Sequence, residues 1–422
     1  MDAPRRSGRL TLKAPLTVSA APVPGTATTN NRPDKRKRDK DDDISDSPES
    51  TTEDFKQNRD SLKVLQKKSK PVQYLIPDVE KKETTFRGRL GEYDVILSVA
   101  VHLQQVTLVL RLDSIKKNGI EWVKGLGKKN TEDLLVMIQW NEDNNIRFLR
   151  VSSEMFPFAS HEIYGYSLEY CAQSLARVGS LANKYGHRLT VHPGQYTQLG
   201  SPKPEVVQSA VRELVYHCEM LDRMGVGVDG VMVVHGGGKY EDKSATLARI
   251  KKTINQILPL NVRNRLVLEN DEMCYSAEDL LPLCEELDVP FIFDYHHHNL
   301  NPSSIPISAI IQRANAIFMR RGIKPKQHLS EPRPGAITLM ERRAHANRCE
   351  NLPPELPDDM DLMIEAKDKE QAVFHLYRMY NLHPVDYASL RPPEENETKE
   401  TKGRKSNKRA RTQAGKLSIE DE

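Results

Sequence analysis

Seven short apolar or β-branched runs, separated by longer stretches of helical period, constrain this chain more than any other feature. The runs are 146–151, 188–191, 230–234, 265–268, 290–293, 361–364 and a weaker one at 324–326. Between them lie amphipathic windows at 163–185, 203–224, 241–257, 276–287 and 304–321, so the segment alternates strand and helix throughout. An eighth strand is available in 88–98 or 106–112, ahead of a helix over 130–143. Eight β-α units in one stretch predict an α/β fold of the TIM (β/α)8 barrel type. An open doubly wound sheet is the rival, because periodicity does not report closure.

Flanking sequence has a different character. Residues 1–80 carry 16 Lys/Arg against 13 Asp/Glu, with many Pro, Ser and Thr and little apolar periodicity. Such a segment cannot bury enough surface to offset its ordering entropy. We therefore expect disordered tails at 1–82 and 386–422 around a barrel domain at 83–385. Lys35-Arg36-Lys37-Arg38 and the C-terminal cluster Lys402, Arg404, Lys405, Lys408, Arg409 and Arg411 suit nuclear import. Arg5, Arg6, Arg9 and Lys13 offer mitochondrial targeting as the alternative. The tails are net basic and the segment between them slightly acidic, so charge alone does not mark the middle as a nucleic-acid binder.

Five cysteines with no C-x-x-C pair argue against a disulfide framework and a thiolate zinc site. No apolar run is long enough for a spanning helix or a secretory signal, so the expectation is a soluble intracellular protein with no membrane partner.

The chemistry is concentrated at the strand ends. Val191 is followed by His192, Val234 by His235, Leu268 by Glu269, Phe293 by Asp294, the 324–326 run by His328, and Ile364 by Glu365. In a barrel those positions share the C-terminal rim, where active sites form. Ten of the thirteen histidines fall between His161 and His345, and imidazole with carboxylate is the ligand set of zinc, manganese or iron. More candidate ligands than one ion can use imply two or three metals, with a carboxylate such as Glu269 as a bridge. Closely spaced cations can clamp both oxygens of a displaced phosphate ester, which makes phosphoester hydrolysis the leading chemistry.

Within Asp294-Tyr-His-His-His298, strand alternation would group Asp294 with His296 and His298, whereas a turn would free His297. Spacing leaves that choice open. His187, His217, His375 and His383 lie in helical or surface contexts and read as structural. The glycine-rich pieces after His192 and His235 let backbone approach a ligand, but neither is a P-loop or G-x-G-x-x-G, so no nucleotide cofactor is indicated. Gln195-Tyr196 offers an amide for base edges and a ring for stacking on an unstacked nucleotide.

At these residues the sequence resembles the UV damage endonuclease family, related in barrel and metal site to endonuclease IV and more distantly to xylose-isomerase-type barrels. The pieces that carry the resemblance are Arg150-Val-Ser-Ser-Glu-Met-Phe-Pro-Phe-Ala-Ser-His161, Val191-His-Pro-Gly-Gln-Tyr196, Val234-His-Gly-Gly-Gly238, Leu268-Glu-Asn-Asp271, Asp294-Tyr-His-His-His298, Lys326-Gln-His328, Ala344-His345 and Met363-Ile-Glu-Ala-Lys367. The resemblance implies an Mn²⁺-using endonuclease, with Zn²⁺ or Mg²⁺ as alternatives. It would nick double-stranded DNA immediately 5′ of cyclobutane pyrimidine dimers and 6-4 photoproducts, act as a monomer and hand its product to downstream repair enzymes. By the same resemblance, His161, His192, His235, Glu269, Asp294, His297, His328, His345 and Glu365 would hold the metals. Lys326 matches a lysine that becomes carboxylated and joins Glu269 in catalysis, and Gln195 and Tyr196 match the pair that probes the lesion.

One stretch departs from that pattern. The family opens with Arg-Leu-Gly-Tyr and an asparagine four residues beyond the tyrosine, whereas here Glu92-Tyr93 follows Gly91 and Leu97 stands in the asparagine's place. Residues 92–110 read as foreign to the family, as a retained intron would give. The competing functions are an abasic-site endonuclease, a sugar isomerase in the same barrel, and a non-catalytic lesion binder disabled by the atypical first strand.

Overall fold

The computed structural model describes residues 74–93, 112–240 and 242–393. Strand β1 spans Leu90–Tyr93 and is followed by helices α1 (Leu112–Asn118) and α2 (Ile120–Asp143). The eighth strand thus lies within the first of the two expected windows. Residue 112 opens a helix instead, and 106–111 fall outside the described residues. Helix α2 also starts ten residues before the expected 130, because apolar Val123 is buried in the same face as Leu134 and Ile138.

Strand β2 (Phe148–Val151) and helix α3 (Ala172–Tyr185) precede β3 (Arg188–Val191), then α4 (Pro204–Arg223), β4 (Met232–His235) and α5 (Lys243–Gln256). The window at 163–185 becomes helical only from the 3-10 turn Leu168–Cys171 onward. Helix α3 stops at Gly186, whose φ of 67° is the left-handed conformation that favours glycine and whose N–H closes on Asn183 O. Then follow α6 (Leu260–Arg265), β5 (Leu266–Glu269), α7 (Ala277–Leu287), β6 (Phe291–Ile292), α8 (Tyr295–Leu300), α9 (Ile307–Arg320), β7 (Lys326–Leu329), α10 (Leu339–Arg342), β8 (Asp361–Ile364) and α11 (Glu370–Tyr380). A reciprocal Ser276/Asp279 box starts α7.

All eight strands pair in parallel, in the order β6-β5-β4-β3-β2-β1-β8-β7. The remaining seam, β6 to β7, is drawn together by a bridge between Asp294 and His328, with the His328 N–H donating to Phe293 O at 3.1 Å. The result is a nearly closed (β/α)8 barrel rather than an open sheet. Most strand residues are buried, which is why the strands read as continuous apolar runs rather than alternating ones.

The N-terminal end of the barrel is plugged by charge. Asp361, the first residue of β8, accepts from Arg89 Nε at 2.8 Å and from Arg188 Nη1 at 2.9 Å, and Arg188 Nε also donates to Asp229 O at 3.0 Å. Described residues on either side of 83–385 also touch the barrel: Lys82 N–H donates to Met379 O, and Leu390 is buried. The expectation of tails over 1–73 and 394–422 lies outside the described residues. No helix among the described residues is long and apolar enough to cross a membrane.

Candidate metal centre

The sequence puts a carboxylate or imidazole at the C-terminal end of six strands, and the barrel turns those ends toward one another. Glu269, the last residue of β5, is fully buried and is the common member of three groups that could each hold an ion. These are His192 with His235, His328 with Glu365, and Asp294 with His297. Glu269 Oε2 is 3.1 Å from His192 Nε2 and 3.6 Å from His235 Nε2. Its other oxygen is 2.7 Å from His328 Nδ1 and 3.8 Å from His297 Nδ1. Glu365 Oε1 reaches the same His328 nitrogen at 3.2 Å.

The local backbone groups His297, of the three histidines in the run, with Asp294 and Glu269. Asp294 caps α8, accepting the His297 N–H at 2.7 Å, so the helical spacing brings Asp294 and His297 together. His296 and His298 turn aside; His296 stacks edge-on against His345 at 5.3 Å between centroids. His187 sits 3.1 Å from Glu142, His217 bonds Glu213 O, His375 reaches Glu350 at 3.2 Å and His383 packs on Tyr377, all outside the three groups.

Two ligand candidates stand apart. His161 Nδ1 accepts from the N–H groups of Ile163 and Tyr164, and its ring lines a groove with Glu154, Phe158, Tyr196 and Arg212. His345 bonds Glu365 O through Nδ1 at 2.7 Å, beside the ring of His297 but in none of the three groups. Gln195 and Tyr196 are exposed, Tyr196 by 83%, on the loop after β3. That loop is bolted to the one after β4: Gln198 donates to Gln195 O at 2.7 Å and accepts the Gly238 N–H at 2.8 Å. A Cβ on Gly237, whose φ is +81°, would stand 2.4 Å from Gln198 Oε1. Gly237 thus leaves room for the Gln198 side chain that joins the two loops.

Burial and the charges that oppose it set the electrostatics. It would raise the Glu269 carboxyl, but the facing His328 and His235 and the hydrogen bonds from His192 and His328 hold it well below the usual range. Burial also works upward on Glu365, where Arg150 and His328 reverse it. Asp294 lacks enough compensation and is pushed up to about 7. His235 is driven down to about 4 by burial, while the carboxylates around His297, led by Asp294 and Glu269, overcome burial and lift it to about 9. Lys326 is fully buried; burial, with Arg188 nearby, lowers its ammonium far below normal, and its Nζ has no hydrogen-bond partner among the described residues.

The donor set fits divalent cations. Asp294 Oδ2 is buried without a hydrogen-bond partner among the described residues, and His328 Nδ1 and His235 Nε2, the ring nitrogens turned toward Glu269, face carboxylate oxygens. Buried polar atoms are ordinarily satisfied, and a shared carboxylate among imidazoles is an arrangement that cations complete.

Sequence reasoning missed the groups that hold this set in place. Arg150 is ion-paired with Glu365 Oε1, and its guanidinium lies 4.9 Å above the Tyr93 ring. Asn270 ties β5 to the start of α8: its amide donates to Asp294 O at 3.0 Å, its side-chain oxygen accepts the Asp294 N–H, and its carbonyl faces His297 Nδ1 at 2.9 Å. Glu272 lies 3.9 Å from His297 Nε2 and is clamped by Arg343. A charged residue inside an otherwise apolar strand was the available signal for Arg150.

Fold and site together define a (β/α)8 barrel whose C-terminal rim gathers His/carboxylate groups that could hold metal ions. The model for UV-endonuclease UvdE matches residues 96–392, and the chain belongs to that family. It is 45% identical over 333 residues to a UV-damage endonuclease of Schizosaccharomyces pombe, covering 76% of this chain and 55% of that protein. It is 50% identical over 278 residues to a UV-damage endonuclease of Neurospora crassa, covering 63% and 42%. The chain thus spans about half the length of these two relatives. The crystal structure of SacUVDE superposes with a TM-score of 0.61 at 28% identity, covering 68% of this chain and 96% of that one.

Proposed function

We propose that this chain is a DNA-repair endonuclease that cuts the phosphodiester immediately 5′ of UV photoproducts, cyclobutane pyrimidine dimers and 6-4 photoproducts. The observation that carries the reading is Glu269 as the shared corner of three His/carboxylate groups, in a member of the UvdE family.

Two or three divalent cations, Mn²⁺ in this proposal with Zn²⁺ and Mg²⁺ as alternatives, would be held by His192, His235, Glu269, Asp294, His297, His328 and Glu365. His345 and His161 would join them from the rim. When bound, such ions supply Lewis acidity toward the phosphate oxygens. The chain's own groups do the rest. Gln195 and Tyr196 present an amide and an exposed ring to an unpaired dinucleotide. Asn270 and Arg150 orient His297 and Glu365. Lys326, whose ammonium form burial disfavours, is the proposed site of carboxylation, which would add one more anionic ligand. Residues 1–82 and 386–422 are proposed as basic tails to the barrel at 83–385, serving nuclear import of a monomeric enzyme.

The test is incision of an end-labelled duplex carrying one thymine dimer, with added Mn²⁺, by this chain and by Glu269→Ala. A nick 5′ of the dimer that is lost in the variant supports the reading. An intact duplex with the metal-loaded chain defeats it, and damage-selective binding without cutting would leave the lesion-binding alternative.

A further inference from the structure

The connection from β7 to β8 carries a tip whose large apolar side chains are exposed. Among its residues Ile337 is 86% exposed, Met340 70% and Leu339 54%, and α10, which contains the last two, buries none of its residues. Three large apolar side chains side by side in water are a cost that monomeric surfaces usually avoid.

The mount beneath them is firm. Thr338 and Glu341 form a reciprocal capping box around α10. Arg333 N–H donates to Ala344 O at 3.0 Å and Ala346 N–H to Glu331 O at 2.8 Å, on either side of the antiparallel Pro332–His345 bridge. Arg343 then ties the tip to Glu272, the carboxylate 3.9 Å from His297, and Arg342 donates to Asn299 O. The tip is thus fastened to the metal centre from which it projects.

Its placement is informative. In the ring of eight strands, β3 and β7 are four positions apart, so the Tyr196 loop and the connection that carries this tip leave opposite sides of the barrel, whose rim holds the Glu269 cluster. Of the three arginines in residues 333–343, Arg333 is buried and Arg343 is paired with Glu272, so the tip would meet a partner through its apolar side chains. An apolar point at the mouth of a candidate endonuclease site suits a duplex opened between two base steps.

We propose that Ile337, Leu339 and Met340 form a wedge that enters double-stranded DNA across the mouth from Tyr196 and holds the lesion step apart. The proposal rests on the endonuclease reading above and deepens it. Because nothing in α10 is buried, the wedge can be removed without touching the core.

The experiment compares the full Mn²⁺-loaded chain with the triple variant Ile337→Ser/Leu339→Ser/Met340→Ser, after checking equal thermal midpoints and equal Mn²⁺ content. Binding is read by anisotropy on a thymine-dimer duplex and base unstacking by 2-aminopurine placed opposite the dimer. Incision is read on that duplex and on a bubble in which the dimer is already unpaired. We expect duplex binding weakened by at least about tenfold, the 2-aminopurine signal lost, and the bubble cut at the wild-type rate. Equal binding and equal unstacking by the two proteins would overturn the wedge, as would a wild-type dimer in sedimentation that the substitutions turn into monomers. If the wild-type chain cuts neither substrate, the endonuclease reading fails, while the binding and 2-aminopurine arms still judge the wedge.

Discussion

Glu269 Oε1 lies 2.7 Å from His328 Nδ1, and that contact joins two strands, β5 and β7, that are not neighbours in the barrel. A carboxylate with one oxygen toward His328 and the other toward His192 and His235 is placed where it could bridge two cations. Replacing it with Gln keeps the volume and removes the charge. We expect Glu269→Gln to lose Mn²⁺ affinity by more than about 100-fold, beyond the range seen when only an outer partner of a ligand is changed. Calorimetric titration of the metal-free protein measures this directly, and affinity within threefold of wild type would contradict the bridge.

Metal uptake should depend on pH with a definite sign. Burial raises Asp294 to about 7, and its carboxylate neighbours raise His297 to about 9, so without a cation both hold protons at pH 6. An ion must displace those protons. Apparent Mn²⁺ affinity is therefore expected to climb as pH rises through 7 toward 9 and then level off, with proton release detectable in weakly buffered solution. A flat profile from pH 6 to 9 would count against both residues as ligands.

Arg150 pairs with Glu365 across β2 and β8, and Tyr93 backs its guanidinium. We expect Arg150→Ala to lower activity or metal affinity by roughly 10–100-fold, as the loss of a ligand's outer partner does. Thermal melts should show a larger loss in the metal-free protein than in the Mn²⁺ form, because a bound cation can replace the missing positive charge. Equal losses in the two forms would make Arg150 a packing residue only.

The limits of the sequence follow from this same pair. The strands were legible because a buried parallel strand must be apolar along its length, and the rim ligands because each interrupts such a run at its end. Register was not legible. Arg150 and Glu365 are brought together by β1 pairing with β2 on one side and β8 on the other, a relationship between distant segments. The choice of His297 over His296 and His298 likewise depended on α8 starting at Tyr295, one residue after its cap. Asn270 carries no chemistry that spacing could flag, since its role is to hold the backbone of Asp294, 24 residues further along the chain, at the start of α8.

Asp361 gives the barrel a pH dependence separate from the metal site. Burial would raise its carboxyl, but Arg89 and Arg188 together lower it from 3.8. A depressed pKa in the folded state means that the stabilisation is complete above the unfolded value of about 4 and is lost as pH falls through the folded one. The contribution of Asp361 to the urea midpoint should therefore hold from pH 7 to 5 and be lost below pH 4. Asp361→Asn should be less stable at pH 7 by about 3–5 kcal/mol, since it strands two guanidinium groups, one of them fully buried in Arg188. The variant's midpoint should also fall less steeply between pH 4 and 3 than that of the wild type. Parallel acid limbs in the two proteins would show that other carboxylates, and not this plug, govern acid unfolding.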